Sequence, residues 1–217
     1  MRIEAILSCV AGADCSVLAD IGTDHAFIPI EAIKRKLAKK AIACDIAKGP
    51  LEIGRKNVAK EGLAGFIELR LGDGLNPIRK DEADVVVIAG MGGLRILGII
   101  SHGIEKISNA SLILQPQHDT SKLRRGLFDL GIKIQSEHLA KEGERFYEIL
   151  FAKKSSDILI FTEEDFFLGS FTGEHAAQYY SQKKQKIEGY IHRINDAYEK
   201  TQAQSKLEWL DKRLQEL

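Results

Sequence analysis

An α/β fold built on a doubly wound, mainly parallel sheet is what this 217-residue sequence predicts, on three observations. Short β-rich runs alternate with longer helical patterns up to about residue 153. The runs are apolar without alternation, as in Val85-Val86-Val87-Ile88, which suits strands buried on both faces of a parallel sheet. The pattern then closes on two β-rich runs with no helix between them, which reads as an antiparallel hairpin at the sheet edge.

Taken in order, the strand candidates are residues 16–20, 41–45, 67–71, 85–89 and 112–114. Helical stretches at 28–37, 50–61, 94–102 and 121–130 lie between them, and strand alternating with helix means βαβ units. Pro50 suits a first helical turn, and Gly62 and Gly131 suit helix stops. The closing hairpin spans 132–138 and 146–152, joined by a charged turn containing Gly143. A dinucleotide-binding dehydrogenase would more often continue with parallel strands, so the seven-stranded sheet with a reversed hairpin favours the methyltransferase version of the fold.

Beyond residue 153 the composition changes. Phe161, Phe166, Phe167 and Phe171 mark a packed connector, and from Glu174 onward the chain reads as helix. Tyr180, Ile187, Ile191, Ile194 and Tyr198 recur at helical steps, and Leu207, Leu210, Leu214 and Leu217 resume the pattern after the polar stretch 201–205. Two helices packed as an antiparallel, coiled-coil-like hairpin fit best, with one long helix as the runner-up. The expected division is therefore a sheet domain at 1–153 and a connector with a helical hairpin at 154–217.

Apolar residues make up 44% and charged residues 29%, a mixture that buries a core without disulfide staples. Cys9, Cys15 and Cys44 lack paired spacing and read as small buried hydrophobes. No apolar run approaches the ~18 residues of a membrane span, and the first residues are no signal peptide, so a cytoplasmic location is expected. His102, His138, His175 and His192 are scattered, so no metal is expected. Lys plus Arg and Asp plus Glu each total 31, which removes any global charge argument for nucleic acid and leaves local patches open.

The ligand of a doubly wound sheet lies beyond the carboxyl ends of the strands, where strand order reverses. Asp20-Ile21-Gly22-Thr23-Asp24 sits there, and Gly22 lets a ligand approach the backbone closely. A dinucleotide loop would place a second glycine where Asp24 stands, so that a pyrophosphate could dock. A carboxylate repels phosphate but suits the cationic amino and sulfonium groups of S-adenosylmethionine (AdoMet). Asp45 ends the second strand and can accept both ribose hydroxyls, while Asp73, in Gly72-Asp73-Gly74, can take the adenine amino group. Asp20, Asp45 and Asp73 thus place an acid on three strand ends in succession. The expected AdoMet site is Asp20, Gly22, Asp24, Asp45, Asp73, Gly74 and Ala89.

The fourth strand ends in Ala89-Gly90-Met91-Gly92-Gly93, without the Asp/Asn-Pro-Pro-aromatic segment that clamps an exocyclic amino group. This run, the stretch from Asp20 to Ile30, Gly49-Pro50 with Asn57-Val58, Leu112 to Pro116 and Phe146 to Leu150 together resemble the bacterial TrmK family. Residues 16–150 follow the family's order, and the helical extension is similar in architecture. The resemblance implies a Rossmann-like class I methyltransferase that uses AdoMet to methylate N1 of adenine 22 in tRNA. Asp24 and His25 are the candidates for a place beside the methyl group, over a floor of Gly90, Met91 and Gly92. Asp24 is equally suited to hold the cofactor's amino group, and His25 to fix the loop by a structural hydrogen bond.

Gln115-Pro116-Gln117-His118 follows the fifth strand on the same edge, where Gln can bond a base or cap the next helix, and Gln115 and Pro116 are the expected substrate contacts. Tyr147 can stack on a flipped base or pack in the core. The basic clusters available to tRNA are Lys34-Arg35-Lys36 with Lys39-Lys40, Lys122 with Arg124-Arg125, and Lys183-Lys184 with Lys186. The helical hairpin offers either a grip on tRNA or a dimer contact, so monomer and homodimer both stand. An AdoMet enzyme acting on a small molecule or protein, or a non-catalytic AdoMet-binding scaffold, would share the cofactor residues. Asp24 disfavours a nicotinamide-dependent oxidoreductase.

Overall fold

The computed structural model describes residues 1–157 and 161–217, so part of the expected connector, 158–160, lies outside the described residues. One sheet holds β1 (Val17–Ile21), β2 (Lys40–Asp45), β3 (Ile67–Leu71), β4 (Val85–Met91), β5 (Ser111–Pro116), β6 (Ile132–Glu142) and β7 (Arg145–Lys154). Their order is β3-β2-β1-β4-β5-β7-β6. Neighbours among β1 to β5 are parallel, and β7 runs antiparallel to both β5 and β6. The chain winds outward from β1 through β2 to β3, then returns to β1's other side for β4, which puts the reversal of strand order between β1 and β4.

Helices α2 (Phe27–Lys34), α3 (Lys48–Lys60), α4 (Gly93–Gly103) and α5 (Thr120–Asp129) lie where the periodicity puts them, with ends shifted by a few residues. Alternate strand residues serve opposite faces. Ala19, Ile21, Val86, Ile88 and Leu114 pack with Ile96 and Ile100 of α4 and Leu123 and Leu127 of α5. Leu18, Ala43, Val85, Val87 and Ile113 pack on the other face with Ile30 and Ala32 of α2 and Val58 of α3. Both faces are thus apolar, which is why the strands show no alternation.

Three expectations change. The alternation fails between β3 and β4, where turns replace a helix and Leu75 and Ile78 fill the core instead. A helix precedes β1: α1 (Arg2–Ala11) buries Ile6, Leu7 and Val10 against the sheet face that α2 also covers. Ile3, Ile6, Leu7 and Val10 are spaced for one helix face, so the signal was present but short. The third change is the break in the C-terminal helices, which falls between α7 (Ala176–Ile191) and α8 (Ala197–Glu216) and not at 201–205. Asp196 caps α8 by accepting the Glu199 N–H at 2.8 Å. The hydroxyls of Thr201 and Ser205 donate back to carbonyls four residues earlier, so this polar stretch is comfortable inside the helix.

The helices pair antiparallel, with Lys184 reaching Asp211 and Arg213 reaching the Tyr180 hydroxyl. Their own core gathers Phe171, Tyr180, Ile187, Ala203 and Leu210. A short helix, α6 (Glu163–Leu168), opens with a capping box between Thr162 and Asp165. A buried ionic cluster joins this body to the sheet. Arg124 of α5 donates to Glu137 of β6 and to Glu148 of β7, each at 2.7 Å, and to the Phe166 carbonyl at 3.1 Å. Lys183 of α7 donates to the Phe167 carbonyl and to the Tyr179 hydroxyl. Burial pushes Lys183 down to about 8, with Glu148 opposing that push. Two cations and two anions balance here, and despite burial the guanidinium holds the Glu148 carboxyl below its ordinary range.

Removing one member of such a cluster leaves charge buried without a partner. Arg124→Ala is expected to destabilise the protein by about 3–5 kcal/mol. Arg124→Lys should recover little, since one ammonium cannot reproduce a fork aimed at two carboxylates and a carbonyl. Urea denaturation of the three proteins measures both effects. Wild-type stability in Arg124→Ala would contradict the reading.

Candidate active site

The loop after β1 is held from the end of β2. The Gly22 and Thr23 N–H groups both donate to the Cys44 carbonyl at 2.9 Å. Asp45 then uses one carboxylate oxygen for the Asp24 N–H at 3.1 Å and the other for the Ala47 N–H at 2.8 Å. Gly22 has φ 77°, a left-handed conformation that a side chain would strain. A Cβ there would also collide with the terminal methyl of Met91. The two strand ends flanking the reversal therefore meet, backbone against thioether.

A cleft opens beside this contact, between the carboxyl ends of β1, β2, β3 and β4. Gly22, Asp45, Asp73, Ala89, Met91 and Arg95 line it, and it runs on past Gly74 toward Asn76 and His102. Of the expected cofactor residues the structure gathers Gly22, Asp45, Asp73, Gly74 and Ala89 here, with Gly90 and Met91 from the expected reaction floor. The residues present fit AdoMet: two carboxylates can accept hydroxyl and amino protons, three positive-φ glycines (Gly22, Gly74 and Gly90) admit close approach, and no glycine loop cradles phosphate. Another groove runs along the outer edge of β3, between Arg55, Phe66 and Arg70. It reaches the amino-terminal ends of β1, β2 and β3 at Val17, Lys40 and Ile67, and its acids Glu68 and Glu82 are already bound to Arg70.

Asp20 is placed differently from its expected role. It is 3% exposed, and its Oδ2 accepts the Thr23 hydroxyl at 2.7 Å. Burial pushes its carboxyl up to about 7; the Thr23 hydroxyl opposes this and the nearby Asp45 adds to it. Asp20 thus sits beneath the loop as a support. Asp24 and His25 lie at the outer rim, side chains 3.3 Å apart, with Asp24 exposed and outside the cleft lining. Asn57 of α3 holds the His25 carbonyl at 3.0 Å, which explains the Asn57-Val58 part of the sequence signature structurally.

The glycine run after β4 has mechanical causes. A Cβ on Gly93 would stand 2.6 Å from the Asp119 carbonyl oxygen, because the loop after β5 crosses directly over it. Gly92 lies under the His118 ring, which pairs with Asp119 at 2.7 Å. Gln115, expected at the substrate, is fully buried: its Oε1 accepts the Gly90 N–H at 3.2 Å and its Nε2 donates to the Pro116 carbonyl. Pro116 is buried beside it. These two residues shape the Gly90 turn from behind; they do not face the open cleft. Tyr147 is half-buried, with the guanidinium of Arg145 over its ring at 4.9 Å and that of Arg2 at 5.6 Å. Arg2, Arg95 and Arg145 were not singled out by sequence, since isolated cations on separate elements carry no periodic signal.

The buried acid has a pH consequence. A carboxyl whose folded pKa is raised to about 7 stabilises the fold below its ordinary value near 3.8, and this contribution is lost as pH rises toward 7. The stability of Asp20→Asn relative to wild type should therefore increase between pH 4 and pH 7. Parallel urea titrations test it, and a difference that does not change with pH would remove Asp20 as the titrating group.

Comparison with known proteins agrees with this geometry. The model of the TrmK family, tRNA (adenine(22)-N(1))-methyltransferase, matches residues 18–217. The tRNA (adenine(22)-N(1))-methyltransferase of Bacillus subtilis (strain 168) is 32% identical over 209 residues, covering 92% of this chain and 88% of that protein. The crystal structure of Streptococcus pneumoniae Sp1610 with S-adenosyl-L-methionine superposes with a TM-score of 0.87 at 32% identity, covering 98% of each chain. The TrmK of M. capricolum, in complex with S-adenosyl-homocysteine, superposes at 0.85 with 27% identity, covering 99% of this chain and 97% of that one. With an acid-lined cleft at the strand reversal and a family match running from β1 through α8, this chain belongs to the TrmK family of tRNA (adenine(22)-N(1))-methyltransferases.

Proposed function

We infer that the chain transfers a methyl group from AdoMet to N1 of adenine 22 in tRNA. The observation that carries this reading is the family match over residues 18–217, laid on a cleft whose lining suits a cationic, phosphate-free cofactor. Cofactor and product complexes of relatives with the same overall fold support it.

AdoMet supplies an electrophilic methyl on a sulfonium. N1 of neutral adenine carries a free lone pair, so no residue has to remove a proton to expose the nucleophile. The chain's work is positioning and exclusion of water. In this reading Asp45 accepts the ribose hydroxyls while its bonds to Asp24 and Ala47 hold both loops in place. Asp73 accepts the adenine amino group of the cofactor. Gly22, with no Cβ, lets the backbone come close, and Met91 packs an apolar thioether against the reacting end. Gly90, fixed from behind by Gln115, is the ledge between cofactor and substrate. Tyr147 stacks on the flipped base. Asp24 and His25, at the rim of the cleft, are assigned either to the cofactor's amino group or to the positive charge that forms on the base, where a carboxylate would stabilise it.

Two experiments test this. Incubation with labelled AdoMet and unmodified tRNA, followed by nucleoside mapping, should place the methyl on N1 of adenine 22. A methyl on any other atom, on a protein or on a small molecule would refute the assignment. Gly22→Ala should strain the loop and drive Met91 into the cleft, weakening AdoMet binding at least about tenfold by calorimetry, a cost near 1.4 kcal/mol. Unchanged affinity would show that the cofactor does not approach Gly22.

A further inference from the structure

Of the basic clusters that stand out in the sequence, Lys36, Lys39, Lys40 and Lys186 have no carboxylate within 4.0 Å among the described residues, and the other members are held in the fold. Lys34 pairs with Glu61 at 2.9 Å, Arg35 with Glu4 at 2.7 Å and Lys122 with Asp119 at 3.0 Å. Arg125 is held by Glu163 and Lys184 by Asp211, while Arg124 and Lys183 belong to the buried cluster. Among the described residues, seven of the eleven arginines have a carboxylate within 4.0 Å. Arg2, Arg95, Arg145 and Arg193 do not. Arg95 lines the cofactor side. Arg2 reaches toward Gly90, and Arg145 shares the Tyr147 ring with Arg2.

Their placement is specific. A Cβ on Gly90 would lie 3.8 Å from Nη1 of Arg2 and 4.0 Å from Nε2 of Gln117. Arg145 donates to Oε1 of Gln117, so Arg2, Gln117 and Arg145 form one polar wall. Both guanidiniums also lie over the Tyr147 ring. The wall is assembled from the first turn of α1, the loop after β5 and the start of β7. Glu142 accepts the backbone N–H of Arg2 at 2.5 Å without pairing with either guanidinium. Two guanidiniums gathered over one ring without a carboxylate are a site that an external anion would complete.

Which anion follows from the reaction. Methylation at N1 makes the base cationic, so a guanidinium directly against it would oppose the transfer. Phosphates on either side of the target nucleotide carry the charge that arginines suit, and such contacts set register. We propose that Arg2 and Arg145 grip the tRNA backbone beside the target nucleotide, leaving the face of Tyr147 as they do so and freeing that ring to stack on the base. The wall thereby couples backbone binding to the opening of the stacking surface, which the free protein keeps covered. This proposal rests on the methyltransferase reading of the cleft.

The test uses the full-length protein, its Arg2→Ala and Arg145→Ala variants and unmodified tRNA. Each variant should raise KM for tRNA about tenfold, leave kcat at saturating tRNA and AdoMet affinity within about twofold, and flatten the salt dependence of tRNA binding by about one unit of slope. Arg2→Lys and Arg145→Lys should restore the slope, since a phosphate contact needs charge, but only part of KM. Wild-type KM and slope in Arg145→Ala would overturn the proposal, as would loss of AdoMet affinity in parallel with loss of tRNA binding. Arg145 is exposed, so its variant decides the matter even if Arg2→Ala proves unstable. A wild-type protein that leaves tRNA unmethylated would instead refute the activity on which the proposal rests.

Discussion

The hold that the end of β2 keeps on the loop after β1 is the constraint on which the site depends. Where strand order reverses, the connections from β1 and β4 leave in different directions, and nothing in the sheet ladder itself fixes the loops above it. The Cys44 carbonyl takes two N–H groups of the β1 loop, and the Asp45 carboxylate takes one from each neighbouring loop. A carboxylate has about four lone-pair sites, so this leaves acceptor capacity for a ligand. Asp45 is thus structural and functional at once. Its conformation is set before any ligand arrives, which is what preorganisation means at the level of one side chain.

A second constraint acts on the opposite half of the molecule. The β6–β7 hairpin is long, and its outer part would be a two-stranded ribbon of marginal stability if left alone. It is pinned by Arg124 from α5 and covered by α7, whose Tyr179 meets Phe146 edge-on at 5.8 Å. The helical C-terminal body therefore shares buried ionic groups with the sheet, and the start of β7, where Arg145 and Tyr147 sit, is placed by that shared packing. Deleting the helices would strip a partner from a buried charge cluster as well as remove surface.

Zero net charge is compatible with a polyanionic substrate once the pairing of cations is known. Among the described residues most arginines are neutralised by carboxylates, so raw counts of basic residues overstate what faces a phosphate. Of the arginines left without a carboxylate among the described residues, Arg2 and Arg145 meet over the Tyr147 ring, and Arg2 reaches toward Gly90. Local arrangement, and not total charge, is where recognition of nucleic acid would reside.

How far the sequence reached follows from the range of the interactions involved. Strands buried on both faces declare themselves through unbroken apolar runs such as Val85 to Ile88, and helices through their 3.6-residue stripe, because these patterns are local. Acids at the ends of β2 and β3 were legible because the topology, once inferred, dictates which strand ends share an edge. The loop residues Gly22, Asp24 and His25 stood out as a signature for the same reason. Other features were settled only in three dimensions. Asp20 and Gln115 look like their exposed neighbours in sequence, yet one supports the loop from beneath and the other holds Gly90 from behind. The helix break moved from 201–205 to the turn before Asp196, since a capping bond outweighs a polar stretch whose hydroxyls can bond within the helix. Arg2, Gln117 and Arg145 come from three distant segments, and no periodicity links them. The sequence by itself determined the sheet, its faces and the acidic strand ends, all of which follow from local hydrophobic pattern and turn chemistry. Tertiary structure alone decided which acids stay free for a ligand and which cations stay free of acids, because pairing is a contact between residues far apart in the chain.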